Sequence, residues 1–357
     1  MRYLVIHYMR SILLRLVPTL DVAWLSLAAS LGLGLGVSAA DAQTFAQSCT
    51  RQSAPVLRTS GLTLLRDGRP SFLTLVSYFD AMRASGAALD SDFAFLKSKG
   101  IDGIRIFPLW VYGTQKPDAT LLDANGRLRS EERWKHFVSI LQKAAACGFV
   151  VDVTFNREQL AKTSEFTVAE FQAGIVGVVS RLHADPRYPH VFIDLQNERG
   201  HPDAPAMQLT VGEVRRMRDH VKRADPSRLV MVSTQGGETE SLTLAMQADL
   251  DVIAFHELQK AGWHNSTTST VQALKVGGVP IYLQEMARAP NRGVSCAKET
   301  PEVNPFVEAM RKAKQAGAAA WTLHTSAGFR LDVEPFQTRI LSCQREIDFL
   351  DALRTQR

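Results

Sequence analysis

Two glutamates define the chemistry open to this chain. Glu198 follows the apolar run Val191, Phe192, Ile193 and Leu195 within HVFIDLQNERG (His190 to Gly200) and stands directly after Asn197; Glu285 follows PIYLQ (Pro280 to Gln284). Short apolar runs that break into a polar cluster read as strands buried on both faces, delivering side chains at their C-terminal ends. Two carboxylates facing each other across a cleft can divide acid–base work. One protonates a leaving oxygen and the other attacks carbon or activates water, the chemistry of glycosidic-bond cleavage. A separation of about 5 to 5.5 Å would mean retention through a covalent intermediate. Taken alone, Glu198 reads as an ordinary surface glutamate after a buried strand. Its meaning depends on the elements that would place Glu285 opposite it.

Those elements alternate without a break. Gly61 to Leu75 reads as two extended runs around Asp67-Gly68, a hairpin signal, leading into a first core strand that ends at Tyr78, Phe79 and Asp80. Ile101 to Phe107, Phe149 to Phe155, Val191 to Leu195, Arg228 to Ser233, Leu250 to Phe255, Pro280 to Gln284 and Ala318 to Leu323 supply seven more strand-like runs. Between them lie helical patterns with their own start signals: Asp90 to Lys99 closed by Gly100, Ser130 as an N-cap, Thr167 with Glu170 and Thr210 with Glu213 as capping boxes, Asn304 with Pro305, and a last helix from Pro335 to about Leu353. Eight strands, each followed by a helix, imply a (β/α)8 TIM barrel in one domain, with the N-terminal β-hairpin closing the barrel bottom; a doubly wound open sheet is the alternative.

Composition agrees with a single globular domain: of 357 residues, 45% are hydrophobic and 22% charged. The net charge of +5 is spread among interleaved acids and bases with no basic block, which speaks against a nucleic-acid partner. Arg2, Arg10 and Arg15, then an uncharged Val22 to Ala39, then Ala40, Asp41 and Ala42 read as a cleavable signal peptide over 1–42. The mature domain would span 43–357, exported to the periplasm or secreted, monomeric and without a membrane anchor; the apolar run is near the lower length limit for a span, the competing reading. Export gives the four cysteines a reason to pair. Barrel placement suggests Cys49 with Cys147 near the bottom and Cys296 with Cys343 near the top, although sequence permits three connectivities.

In a barrel the residues just past each strand converge on one face. Here they are Tyr78, Phe79 and Asp80; Arg105 and Trp110; Asn156 and Arg157; Asn197 and Glu198; Gln235; His256 and Glu257; Glu285; Trp321 and His324. An Asn-Glu pair after strand four and a Glu after strand seven resemble the catalytic pair of clan A glycoside hydrolases, the retaining 4/7 barrels that include family 5 cellulases and mannanases. The resemblance implies Glu198 as acid/base, Glu285 as nucleophile, Asn197 holding the sugar 2-hydroxyl, Arg105 keeping the nucleophile ionised and Trp321 flooring the reacting subsite. His256, Trp110 and Tyr78 join the substrate-binding set by position. The sequence departs from family 5 where strand three ends in Thr154, Phe155, Asn156 and Arg157 rather than a His, and where Leu258 replaces the Tyr that usually bonds the nucleophile.

Each of these residues has a plainer reading: Arg105 as a structural ion pair, His256 as a satisfied core histidine, Trp110 and Trp263 as packing under loops, Trp134 as core. Among rival functions, a metal-dependent barrel hydrolase lacks a first-strand His-x-His, and no other tight His/Asp/Cys cluster has ligand spacing. A phosphate site is poorly served by Ala287 to Gly293. A non-catalytic sugar-binding barrel would have lost a glutamate. The expectation is a cofactor-free, retaining enzyme acting on a polysaccharide or oligosaccharide, a β-glucan or β-mannan. Loops Val111 to Arg129 and Asn156 to Phe166 are long enough to wall an extended cleft, so endo cleavage is the expectation; closing a pocket for exo cleavage of oligosaccharides is the alternative.

Overall fold

The structure, a computed structural model, describes residues 45–51, 53–110, 119–156, 167–200, 208–235, 237–257, 262–287, 304–325, 336 and 343–355. Residues 1–42, expected to be a signal peptide, lie outside the described residues with Arg157 and Cys296, as do 111–118 and 157–166 of the two long loops.

Twelve strand segments occur among the described residues. The first three, β1 (Leu57–Ser60), β2 (Thr63–Arg66) and β3 (Arg69–Ser71), form a small antiparallel sheet. Its β2–β3 turn sits at Asp67-Gly68, both at positive φ. The remaining nine run parallel: β4 (Leu73–Tyr78), β5 (Gly103–Ile106), β6 (Val150–Thr154), β7 (Val191–Asp194), β8 (Val230–Met231), β9 (Ser233–Thr234), β10 (Ile253–His256), β11 (Ile281–Glu285) and β12 (Ala320–Leu323). Their order is β8-β7-β6-β5-β4-β12-β11-β10-β9. The two ends of that order, β8 and β9, are halves of one strand interrupted at Val232, one half pairing β7 and the other β10. The sheet therefore closes on itself as an eight-stranded (β/α)8 barrel, at each of the strand-like runs read from the sequence.

The helices begin where side chains can satisfy their free N–H groups. Helices α1 (Gly86–Ser98) and α2 (Glu131–Ala146) are capped by Ser85 and Ser130. Both capping boxes form, at Thr167 for α3 (Val168–His183) and at Thr210 for α4 (Val211–Ala224). Helices α5 (Gly237–Gln247) and α6 (Thr267–Leu274) follow. Asn304 caps α7 (Pro305–Ala316), with proline in its first turn. The described part of the last helix is α8 (Gln344–Thr355); Pro335, its expected start, lies outside the described residues. None of these helices is long and apolar enough to cross a membrane.

Strand alternation divides the side chains into two populations. One set, including Ile104, Ile106, Val151, Val153, Ile193 and Leu283, packs beneath the helices with Phe93, Phe137, Phe171 and Val214. The other lines the barrel interior. Near the N-terminal strand ends it is apolar: Leu73, Leu75, Val150, Phe192, Met231, Val252 and Ala254 cluster there with Leu57 and Leu64 of the small sheet. A disulfide joins Cys49 to Cys147, the residue after α2. Cys343 is also disulfide-bonded.

Candidate active site

Toward the C-terminal strand ends the barrel interior turns polar, and two local departures from regular strand geometry aim the glutamates. Tyr282 and Gln284 of β11 reach across the interior, to Thr322 and to Asp152 and Asp194, so a regular continuation would turn Glu285 outward. The pairing with β10 shifts register instead, Phe255 opposing Leu283 while His256 opposes Glu285. Such a bulge re-aims the side chain that follows it. Beyond β7, Glu198 adopts φ +46°, in the left-handed region that a non-glycine residue enters at a cost of about 1 kcal/mol or more. Its backbone N–H donates to Ser233 Oγ at 3.0 Å, and its carboxylate accepts from the Gln235 amide.

Arg105 ties the two sides together. Fully buried on β5, it donates from Nη1 to Glu285 Oε2 at 2.8 Å, from Nη2 to Asn197 Oδ1 at 2.6 Å and from Nε to Thr154 Oγ1 at 2.9 Å. The carboxylates of Asp152 and Asp194 stand 3.5 and 3.7 Å from the same guanidinium. Glu285 Oε1 lies 2.8 Å from His324 Nε2, and Ser77 Oγ hydrogen-bonds His324 Nδ1 at 3.1 Å. His256 Nδ1 lies 3.3 Å from Glu285 and 3.6 Å from Glu198. A carboxylate oxygen of Glu198, one of Glu285 and a ring nitrogen of His256 all fall within 4.8 Å of one another.

These neighbours set the charges. Burial pushes Glu285 up, but His324, His256 and Arg105 together hold it well below the usual carboxylate range. Burial would lower His256, yet Glu285 and Glu198 keep it above its ordinary value. Burial raises Asp152 to about 7 and raises Asp194 as well, against the pull of Arg105. Glu198, His256 and Glu285 have the spacing to reach a metal ion, and they are the one such group among the described residues. The donor set argues against that use. Arg105 occupies a Glu285 oxygen and places a permanent positive charge beside it, where a cation would be repelled.

The structure gathers Glu198, Glu285, Asn197, Arg105 and His256 into this cluster. It corrects two expectations. Tyr78 and Trp321 do not face the interior: alternation puts Ser77 and His324 inside and turns their neighbours out. The Tyr78 hydroxyl donates to Asp92 of α1 and its ring packs on Phe93 and Phe336, while Trp321 packs on Phe349 of α8 with ring centroids 5.1 Å apart. Trp110 is half-buried, beside a stacked Phe79–Phe107 pair that also carries the Arg105 guanidinium 4.6 Å from Phe107. Trp263 is core, against Phe306. Gln284 is absent from the expected strand-end residues, while Gln235 and His324 are among them without an expected role. The two-residue period was the available signal for His324: Ala320, Thr322 and His324 share a face opposite to Trp321 and Leu323.

No protein-family model matches the chain, and no curated protein does. Solved structures do. An endo-1,4-beta-mannanase from Rhizomucor miehei aligns with TM-score 0.56 at 14% identity, over 75% of this chain and 89% of its own. A glycoside hydrolase family 5 structure from Bacteroides vulgatus ATCC 8482 aligns with TM-score 0.57 at 14% identity, over 84% and 68%. An endo-1,4-beta-mannanase from Eisenia fetida gives 0.55 at 14%, over 84% and 95%. At these identities the likeness is one of fold: the chain is similar to these glycoside hydrolases in the barrel that carries its paired glutamates.

Proposed function

We propose that the protein is an exported, retaining glycoside hydrolase that cleaves β-glycosidic bonds of a β-glucan or β-mannan by double displacement, with a single catalytic domain after removal of residues 1–42. The observation that carries this reading is the approach of Glu198 and Glu285 to within 4.8 Å, oxygen to oxygen, beside Arg105. Inverting enzymes keep their carboxyl groups about 6.5 to 9.5 Å apart to admit a water, so the close pair favours direct attack.

Glu285, held ionised, attacks the anomeric carbon while Glu198 gives its proton to the departing oxygen. Glu198 then takes a proton from the water that releases the sugar from Glu285. Asn197 has its Oδ1 engaged by Arg105, which orients its NH2 as the donor to a sugar 2-hydroxyl. The half-buried Trp110 offers an aromatic face to the apolar side of a pyranose. The chemistry needs no cofactor. The mannanases sharing this barrel support β-mannan as a first substrate, and a polysaccharide panel identifies the preferred one. Glu285→Gln and Glu198→Gln should each lower turnover by about two decades or more. Near-normal hydrolysis by either variant refutes the assignment, as does an inverted first-formed anomer by NMR. Sugar binding without turnover would make the barrel a binding module.

A further inference from the structure

Beneath the catalytic carboxylates lies a buried side chain that the mechanism above leaves unused. Gln284 precedes Glu285 on β11 and is wholly enclosed. Its Nε2 donates to Asp152 Oδ2 at 2.8 Å and to Asp194 Oδ2 at 3.0 Å, and its Oε1 lies 2.8 Å from His256 Nε2. The two aspartates fix which end of the amide is which. Reversing the amide would forfeit both N–H bonds to the aspartates. With both N–H bonds committed to the aspartates, Oε1 can only accept, so His256 Nε2 carries a proton. Nδ1 is then the nitrogen nearest Glu285 and Glu198, at 3.3 and 3.6 Å, within ion-pair distance of both though not aligned for a hydrogen bond to either. Glu285 is held ionised, so an unprotonated Nδ1 would oppose its lone pair to that carboxylate, whereas a protonated one is attracted to it.

We infer, resting on the assignment of Glu198 and Glu285 as the catalytic pair, that Gln284 is a positioning residue: anchored by Asp152 and Asp194, it locks His256 as an imidazolium shared between acid/base and nucleophile. His256 thereby acts on the carboxylates rather than on the sugar. The charged groups around it are Glu285 on its own sheet neighbour, Glu198 beyond β7, Asp194 on β7 and Arg105 on β5; Arg105 opposes its protonation and the carboxylates favour it. The direction in which His256 is held agrees with that balance. Asp152 and Asp194 stay close to Arg105, so the anchor also belongs to the guanidinium that holds Asn197 and Glu285.

Nitrogen-15 NMR of histidine-labelled protein reads the tautomer and charge of His256 directly, its signal assigned by loss in His256→Gln. The expected result is an imidazolium that titrates above an ordinary histidine and leaves the proton on Nε2 when neutral. Gln284→Met should lower that midpoint by one unit or more. Gln284→Glu, protonated in this acidic setting, retains an oxygen acceptor for Nε2–H and should keep the midpoint within about half a unit of wild type, and it serves as the folded comparison should the Met variant not fold. A neutral His256 at pH 6 in wild type, a neutral form protonated on Nδ1, or a midpoint unmoved in Gln284→Met overturns the inference. The NMR result needs no substrate, so a protein that titrates as stated but cleaves no β-glycoside refutes the functional proposal and leaves this assignment standing.

Discussion

Arg105 and Arg228 are both buried in the barrel wall, at opposite ends, and they are satisfied in different ways. Arg228, just before β8, donates to the backbone carbonyls of Tyr188 and Val191 and pairs with Asp225. One charge meets one charge, and the remaining donors meet the chain itself. Arg105, inside the C-terminal half, meets Glu285, Asp152 and Asp194 at once. Burial lowers Arg228 and Asp225 only partly restores it, whereas at Arg105 the three carboxylates overcome burial and hold the guanidinium above its ordinary value. A balanced pair closes the bottom of a barrel. A surplus of carboxylate around one cation leaves negative charge available for chemistry, and it must be held in place by everything around it.

Removing the cation from each site separates the two roles. Arg105→Met should reduce kcat/KM by about two decades or more, because the nucleophile loses a donor and Asn197 loses its orientation. It should also destabilise the fold by about 3 kcal/mol, since three carboxylates would share one buried space. Arg228→Met should cost a similar stability, about 3 kcal/mol by denaturant unfolding, and leave kcat/KM of the remaining folded enzyme within about twofold. If both variants lost activity in proportion to stability alone, the distinction between the two ends would fail.

The sequence exposed the same contrast only in part. All eight strands were legible because their runs are short, mostly apolar and followed by helices whose caps form, as at Thr167 and Thr210. Glu198 and Glu285 were legible as residues just past those runs. Their orientation was not: one depends on a register shift against β10 and the other on a left-handed φ, and neither leaves a mark in the residue types. Tyr78 and Trp321 show the opposite failure. Large aromatics beside a site look functional, yet strand alternation had already turned them toward Phe93 and Phe349, with Ser77 and His324 taking the interior. Position along the strand was readable, whereas the face needed the period-two pattern to be carried through each strand end.

The two ends should also respond to acid in opposite directions. His190, before β7, is buried with Nε2 on the Leu141 carbonyl, and burial holds it at about 4 against 6.5 in the unfolded chain. The unfolded state takes up its proton first, so stability is lost as pH falls from about 6.5 to about 4, by at most about 3 kcal/mol. Asp152 runs the other way: raised to about 7, its carboxyl contributes fully below about 4 and loses that contribution as pH rises through 7. Denaturant unfolding of His190→Gln between pH 4 and 6.5 should show a flatter decline than wild type. Asp152→Asn should remove the loss of stability that this carboxyl causes between about pH 4 and 7. An unchanged slope in either variant would mean that the residue keeps its unfolded-state ionisation.

An arginine outside the barrel sets the lower limit of the comparison. Arg181 of α3 reaches Glu131 of α2 at 2.6 Å, but their side chains are 43% and 64% exposed. Arg181 also lies 4.9 Å over the half-buried Trp134 ring, a contact that survives loss of the carboxylate. Water and salt screen the exposed pair, so the geometry that matters so much at Arg105 should matter little here. A double-mutant cycle with Arg181→Gln and Glu131→Gln should give a coupling below about 0.5 kcal/mol at physiological salt, with kcat/KM unaffected in all three variants. A coupling above about 1 kcal/mol would show that distance alone, without burial, sets the strength of an arginine pair in this protein. Because the cycle subtracts the Trp134 contact and any helix-end effect of Glu131, what it returns is the pair itself, the quantity that separates an exposed arginine from the two buried ones.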